Sequence, residues 1–309
     1  MATTLTDMIN EVSMNLSGYT LTQDRSTYLK TAITAVASSS ASPTILSLGS
    51  TDNVGKGIVE IDEELLWVDT YDRVGNTATV APYGRAYLGT TLAAHAVDAK
   101  VTISPTFPRF SIKRAINDTI NAVGSSIFAA STTTITSNAA VAAFRLPTTG
   151  TTLNIRNILA VAYESIGASK EWIPIRTWRF DSNANTTAFT SGQTISIYDV
   201  VPSGRTIQIV YAKDPAVFTA NTEEFSTQTG LPDSCKDVVI LGSTYRLLSN
   251  LDPARAGMVS PQADEVDNKR PYGSSQSLTN QINKLYSQRL AEEVRSQQEK
   301  YPIRVHYSL

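Results

Sequence analysis

A repeated change of hydrophobic period constrains this chain more than any other feature. Apolar residues recur every three or four positions near the start, in the middle and in the last quarter, and every two positions in between. The stretch from Pro232 to Leu309 is the most informative. Pro232-Asp233-Ser234 is a helix-start signal, and Val238, Val239, Leu241, Tyr245 and Leu248 follow at helical spacing. This predicts a helix over 234–250 with one buried face. Asp252-Pro253 and Arg270-Pro271 bracket a polar loop over 251–272. Ser274 or Ser275 can cap a second helix that runs to Tyr301, where Pro302 stops it. Its apolar stripe is Leu278, Ile282, Leu285, Tyr286, Leu290 and Val294, and its second half, Glu292 to Lys300, is mostly polar. At ~1.5 Å per residue such a helix spans on the order of 40 Å, so it either crosses the protein or projects from it. Ile303-Arg304-Val305-His306-Tyr307 alternates apolar and polar, as an edge strand does, and a strand there is a device for pairing with another sheet.

The rest of the chain alternates in the same way. Leu5, Ile9, Val12 and Leu16 predict an amphipathic helix. Thr22 or Asp24 is expected to start a second, carrying Tyr28, Leu29, Ile33 and Val36 and ending in the Ser-rich link before Pro43. Period two then runs from Thr44 to Pro105. Ile45, Leu46 and Leu48 open a strand, Ile58 to Val68 reads as continuous alternation, Asp72 to Asn76 as a hairpin loop, and Lys100 to Ile103 as the last strand. Phe110 to Phe128 returns to helical spacing through Ile112, Ile116, Ile120 and Val123. Beyond it, 133–136, 143–146, 155–163, 171–179, 194–198 and 207–211 read as short strands of an antiparallel sandwich or barrel. The expected fold is α+β: a helical core (5–37, 110–128, 234–301) interrupted by a small β module and a β-sandwich or barrel. The expected divisions are 1–43, 44–108, 109–130, 131–230 and 231–309.

Composition narrows the function. Of 309 residues, 41% are apolar and 17% charged, which argues against disorder. With 26 basic and 28 acidic residues there is no positive excess to bind nucleic acid over the whole surface. Cys235 is the single cysteine, so neither an intrachain disulfide nor a cysteine zinc cluster is expected. No signal peptide is evident over 1–17, no apolar run approaches a membrane span, and a soluble product made in a cytoplasm is expected.

Candidate chemistry is thin. Glu60, Asp62, Glu63, Glu64 and Asp69 could offer oxygen ligands to a cation, but a solvated outer strand face accounts for them better. His95 and His306 are the only histidines, and neither stands in a nucleophile motif. Cys235 sits at a helix start but reads as a small buried residue. Gly55-Lys56-Gly57 is a turn, not a phosphate loop. Trp172, Trp178, Arg176 and Arg179 could form a glycan platform, although core packing or a subunit interface is the commoner use. The long loop over 251–272 holds Asp252, Arg255, Asp264, Glu265, Asp267, Lys269 and Arg270. Its mixed charge suits contact with a neighbouring subunit, and an ordinary solvated loop fits as well. No catalytic residue, metal site or cofactor is expected.

Several motifs carry a resemblance. Asp252-Pro253-Ala254-Arg255-Ala256-Gly257, Ala263-Asp264-Glu265-Val266-Asp267, Arg270-Pro271-Tyr272-Gly273 and Gln288-Arg289-Leu290-Ala291-Glu292-Glu293 resemble the C-terminal part of head-to-tail connector (adaptor) proteins of long-tailed bacteriophages. Tyr83-Gly84-Arg85-Ala86-Tyr87-Leu88-Gly89-Thr90 with Ala94-His95-Ala96 is similar to a β-module motif of phage structural proteins. The resemblance implies a virion protein at the head–tail junction, assembled in the host bacterial cytoplasm. It implies a homo-oligomeric, dodecameric ring under the portal protein that extends the DNA channel and receives a downstream neck protein or tail terminator. DNA is met only by passage, and no membrane is involved. In that setting Ile303, Arg304, Val305, His306 and Tyr307 would dock on the portal, and the 251–272 loop would bridge subunits. The other readings are a tail terminator or minor tail protein, or a sandwich module that binds host glycan.

Overall fold

The computed structural model describes residues 3–20, 24–35, 43–138, 140–146, 155–167, 170–249 and 274–302. It is an α+β protein in which all the described sheets are antiparallel and none closes into a barrel. The chain divides into two compact units, each built from separated stretches. One comprises 6–116 and 240–283, and the other 1–5, 117–239 and 284–309.

The first unit holds helix α1 (Leu5–Thr20) from Thr6 onward and a six-stranded sheet. Its strands are β1 (Arg25–Tyr28), β2 (Thr44–Ser47), β3 (Gly57–Ile61), β4 (Glu64–Asp72), β5 (Thr77–Val80) and β6 (Lys100–Ile103), in the order β1-β6-β3-β4-β5-β2. α1 buries Leu5, Met8, Ile9, Val12 and Leu16, the stripe its spacing predicts. The core of the sheet is formed by residues such as Leu29, Leu46, Ile61, Leu66, Val80 and Val101. The two edges of the sheet are stitched together at one end, where Lys30 N–H donates to Ser47 O (2.8 Å) and Gly49 N–H to Tyr28 O (2.9 Å).

Two expectations fail here. The helix expected over 24–37 is instead β1 followed by single bridges, Leu29 to Leu48 and Ile33 to His95. Leu29 and Ile33 do go inside, but through pairing with distant strands, which overrides local helical spacing. Val36 lies outside the described residues. The continuous strand expected over 58–68 is a tight hairpin, because Asp62 takes a positive φ of 56° and reverses the chain between β3 and β4.

The second unit is a sandwich. Strands β7 (Ala129–Thr136), β9 (Ile155–Glu164), β10 (Trp172–Pro174) and β13 (Thr206–Lys213) form one sheet in the order β10-β9-β13-β7. Strands β8 (Ala143–Arg145), β11 (Trp178–Asp181) and β12 (Thr194–Ile197) form the other, ordered β11-β12-β8. Ile135, Ile158, Ile195, Ile207 and Tyr211 are among the side chains that fill the space between them. The stretch 171–179 is therefore two strands in different sheets. The Asp199 carboxylate holds the break by accepting the Arg176 and Thr177 amides (2.7 and 3.1 Å).

Helices α2 (Arg109–Val123), α4 (Lys236–Ser249) and α5 (Ser274–Lys300) each contribute to both units, and α3 (Phe225–Thr229) is a short turn of the second. α2 buries Ile112, Ile116, Ile120 and Val123, and α4 buries Val238, Val239 and Leu248. No helix among the described residues is long and apolar enough to cross a membrane.

Candidate functional site

The densest polar constellation in the first unit lies under the loop from Tyr83 to Ala96. β4 begins with Glu64, which is 1% exposed. Arg85 grips its carboxylate with two bonds, Nε to Oε1 at 2.6 Å and Nη2 to Oε2 at 2.8 Å. The Ala86 and Ala93 amides donate to the same oxygens at 2.9 and 3.0 Å. His95 lies 2.9 Å from Glu64 through Nε2 and 2.6 Å from Asp62 through Nδ1. Arg85 also donates to the carbonyls of Ala93 (2.6 Å) and Thr34 (3.3 Å).

The electrostatics follow from these partners. Burial by itself raises the Glu64 pKa, but Arg85, His95 and the two amides outweigh it and bring it down to about 2. Burial opposes charge on His95, yet Glu64 and Asp62 prevail and raise its pKa above 6.5. Protonated His95 donates from both nitrogens to carboxylates. A general base needs a lone pair aimed at substrate. Buried His95 uses both nitrogens to hold the loop on the sheet.

This gives the Tyr83–Thr90 motif a physical meaning. A Cβ at Gly84 would lie 2.8 Å from Ala81 O and 2.9 Å from Trp67 O, so only glycine fits. Tyr87 packs against Trp67 with ring centroids 5.4 Å apart. Thr90 Oγ1 accepts the Leu65 amide (3.1 Å) and donates to Tyr87 O (3.0 Å). The motif is a clasp that folds an irregular loop onto the sheet.

Glu60 is a second buried carboxylate, 4% exposed, and accepts the Arg109 amide at 2.5 Å. It thereby satisfies a donor at the start of α2. Burial is the largest influence on it and raises its pKa from 4.5 to about 7, although the Arg109 amide pulls the other way. The expectation of a solvated acidic face over 60–64 is thus corrected, because Glu60 and Glu64 turn inward to protein donors. No sequence pattern pointed to either pairing, since Arg85 and Arg109 stand far along the chain.

In the second unit, the polar half of α5 is docked rather than projecting. Glu293 accepts from Ser234 Oγ (2.8 Å) and Arg289 Nη2 (3.2 Å). The Gln297 amide meets Phe128 at both backbone atoms, accepting its N–H (3.1 Å) and donating to its carbonyl (2.6 Å). Tyr301 packs on the Phe128 ring with centroids 5.8 Å apart. Residues 289, 293, 297 and 301 recur every four positions, a polar docking stripe that an apolar-periodicity reading overlooks. Cys235 is buried beside Glu293 as expected of a small core residue, and burial with that carboxylate pushes its thiol up to about 12.

Loops at one end of the sandwich display apolar side chains, with Ile166 at 74% and Val200 at 95% exposure beside exposed Tyr198 and Val141. The two tryptophans lie on different sheets of the sandwich. Trp172 is exposed on the edge strand β10, whereas Trp178 packs partly buried against the sandwich core. The expected portal-docking residues Ile303, Arg304, Val305, His306 and Tyr307 lie outside the described residues. So do the loop residues Asp252, Arg255, Asp264, Glu265, Asp267, Lys269 and Arg270.

What the geometry offers is joints and surfaces: a charged clasp, a capped helix, a docked helix and open apolar loops. A family model described as SU10 adaptor protein matches residues 85–303, more than half of the chain. The chain belongs to that family. It is thus a phage adaptor-type protein, with a structural role in the virion. No curated protein matches the chain.

Proposed function

We propose that this protein is the head-to-tail adaptor of its phage. It forms a closed homo-oligomeric ring, a dodecamer, beneath the portal protein, extends the DNA channel and receives the next neck protein or tail terminator. The match to the adaptor family over 85–303 carries this reading. The anchoring of α5 by Glu293, Gln297 and Tyr301 supports it, because a fixed helix end gives the following segment a defined point of departure. From there Ile303 to Tyr307 adds to a portal sheet through main-chain hydrogen bonds. The mixed charges of 251–272 set the register between ring neighbours. The role is mechanical, with no chemical step.

Quantitative peptide mass spectrometry on whole virions, DNA-filled heads and free tails tests the reading. A copy number equal to that of the portal, retained on filled heads and missing from free tails, is expected. Presence on tails alone would make the protein a tail terminator or minor tail protein instead. Deleting 302–309 should abolish head–tail joining, and unaffected assembly would refute the strand docking.

A further inference from the structure

The edge of a sheet carries backbone donors and acceptors with no partner in that sheet, and short length, proline and charge are the usual ways of blunting it. Most edges of the described sheets are blunted. β10 has three residues including Pro174, β8 has three including Arg145, and β11 has four with Arg179 and Asp181. β1 and β2 have four each and are stitched to one another by backbone bonds.

β7 has none of these protections. Its eight residues, Ala129 to Thr136, include no charge and no proline. It pairs with β13 over its whole length in unbroken register, and among the described strands with no other. Just past its end, Ser137 N–H donates to Arg205 O (2.7 Å) and Ser137 O accepts the Gly204 N–H (2.9 Å), so position 137 faces β13. In an antiparallel ladder this direction alternates residue by residue. Ser131, Thr133 and Ile135 therefore bond towards β13, and Ala130, Thr132, Thr134 and Thr136 direct N–H and C=O to the open side. The side chains of Thr132, Thr134 and Thr136 are exposed.

The strand is complementary to itself. Rotated about a two-fold axis at Thr133, a second β7 runs antiparallel to the first, with 130 opposite 136 and 132 opposite 134. Each pair joins positions of the same parity. Residues that bond outward thus meet others that bond outward, and every side chain keeps its face of the sheet. The outward-bonding pairs supply about eight hydrogen bonds between the chains. On the exposed face Thr132 meets Thr134 of the second copy, a favourable cross-strand pair. No like charges meet, because the strand carries none. The blunted edges of this chain offer no ladder as long, so among the described strands β7 of a second copy is the one that fits.

We propose that in the free protein two copies pair antiparallel along β7, about a two-fold axis at Thr133, and join their sandwich sheets into one. The pairing goes beyond the adaptor reading and does not depend on it. A closed ring is built from heterologous contacts, whereas this contact is isologous, so it belongs to the protein before ring assembly.

Sedimentation velocity on the purified full-length chain, at concentrations up to about 0.1 mM, tests this. The wild-type chain should pass from monomer to dimer as concentration rises. Thr132→Lys/Thr134→Lys sets lysine opposite lysine twice and should weaken the dimer at least about tenfold. Those lysines cancel the net charge of −2, so overall repulsion does not account for the loss. Thr132→Lys/Thr134→Glu, at the same exposed positions, sets lysine opposite glutamate twice and should restore wild-type association. A wild-type chain that stays monomeric overturns the proposal. Self-association of any size that the double-lysine chain keeps unchanged overturns it, as does failure of the lysine–glutamate chain to recover. None of these outcomes bears on the adaptor reading, which is decided by the composition of virions, heads and tails.

Discussion

Replacing Arg85 with methionine probes the charged clasp most directly. Methionine keeps much of the apolar stem and removes the two bonds to Glu64 and those to Ala93 O and Thr34 O. The side chains concerned are 6% and 0% exposed, so water does not replace the lost donors. Breaking one side of a buried ion pair costs about 3–5 kcal/mol when the remaining charge has no other partner. Here Glu64 keeps His95 and two backbone amides, which places the expected loss near the lower figure, about 3 kcal/mol. Urea unfolding followed by Trp67 fluorescence measures it, in a background with Trp172 and Trp178 changed to phenylalanine so that only the six-stranded unit reports. Trp67, on β4, packs on Tyr87 of the clasp loop and senses its release. Adding Glu64→Leu to Arg85→Met should recover part of the loss, because two apolar side chains leave no orphaned charge. The pair should also be insensitive to salt. A loss below about 1 kcal/mol, or strictly additive effects in the double variant, would refute the clasp as a source of stability.

Glu60 gives a pH dependence of definite sign. Its pKa rises from 4.5 to about 7 on folding, so the folded chain holds the extra proton between those values. The contribution is full below about pH 4.5 and is lost as pH climbs through 7, a fall of about 3 kcal/mol, and Glu60→Gln should flatten that part of the stability profile. Glu64 acts the other way and lower, since its stabilisation is present above 4.5 and disappears as pH falls towards 2; acid titration of wild type against Glu64→Gln separates the two. Gln297→Ala removes both bonds to Phe128 and should cost about 1–2 kcal/mol, read as faster tryptic cleavage after Lys300; an unchanged rate argues against docking of the helix end. Cys235, buried and with its thiol pushed up to about 12, should resist thiol reagents in the native protein and react fully in urea.

Three helices were legible because each records its burial in its own spacing, whereas of the apolar stripe predicted for α5 only Ile282 is buried and Leu285 is exposed. α1 at Leu5, Ile9, Val12 and Leu16, α2 at Ile112, Ile116, Ile120 and Val123, and α4 at Val238, Val239 and Leu248 bury the stripes that periodicity marks. The turn at Asp72–Asn76 and the strand Lys100–Ile103 were likewise visible in local chemistry. The stretch 24–37 was misread because Leu29 and Ile33 satisfy helical and strand burial alike, and pairing with Leu48 and His95, distant in sequence, decided between them. The hairpin at Asp62 and the break between β10 and β11 depend on a positive φ and on the Asp199 cap, neither of which leaves a periodic trace. The motif around Arg85 and His95 could be noticed as a pattern, but its use could not. A carboxylate buried beside an arginine and one on a solvated strand face have the same local sequence. By itself the sequence determined an alternation of helical and sheet segments, a single cysteine and a resemblance to phage adaptors. Only the tertiary structure decided which charges are buried, which polar face of α5 is docked and which sheet edge is left open, because those depend on partners that stand tens to hundreds of residues apart.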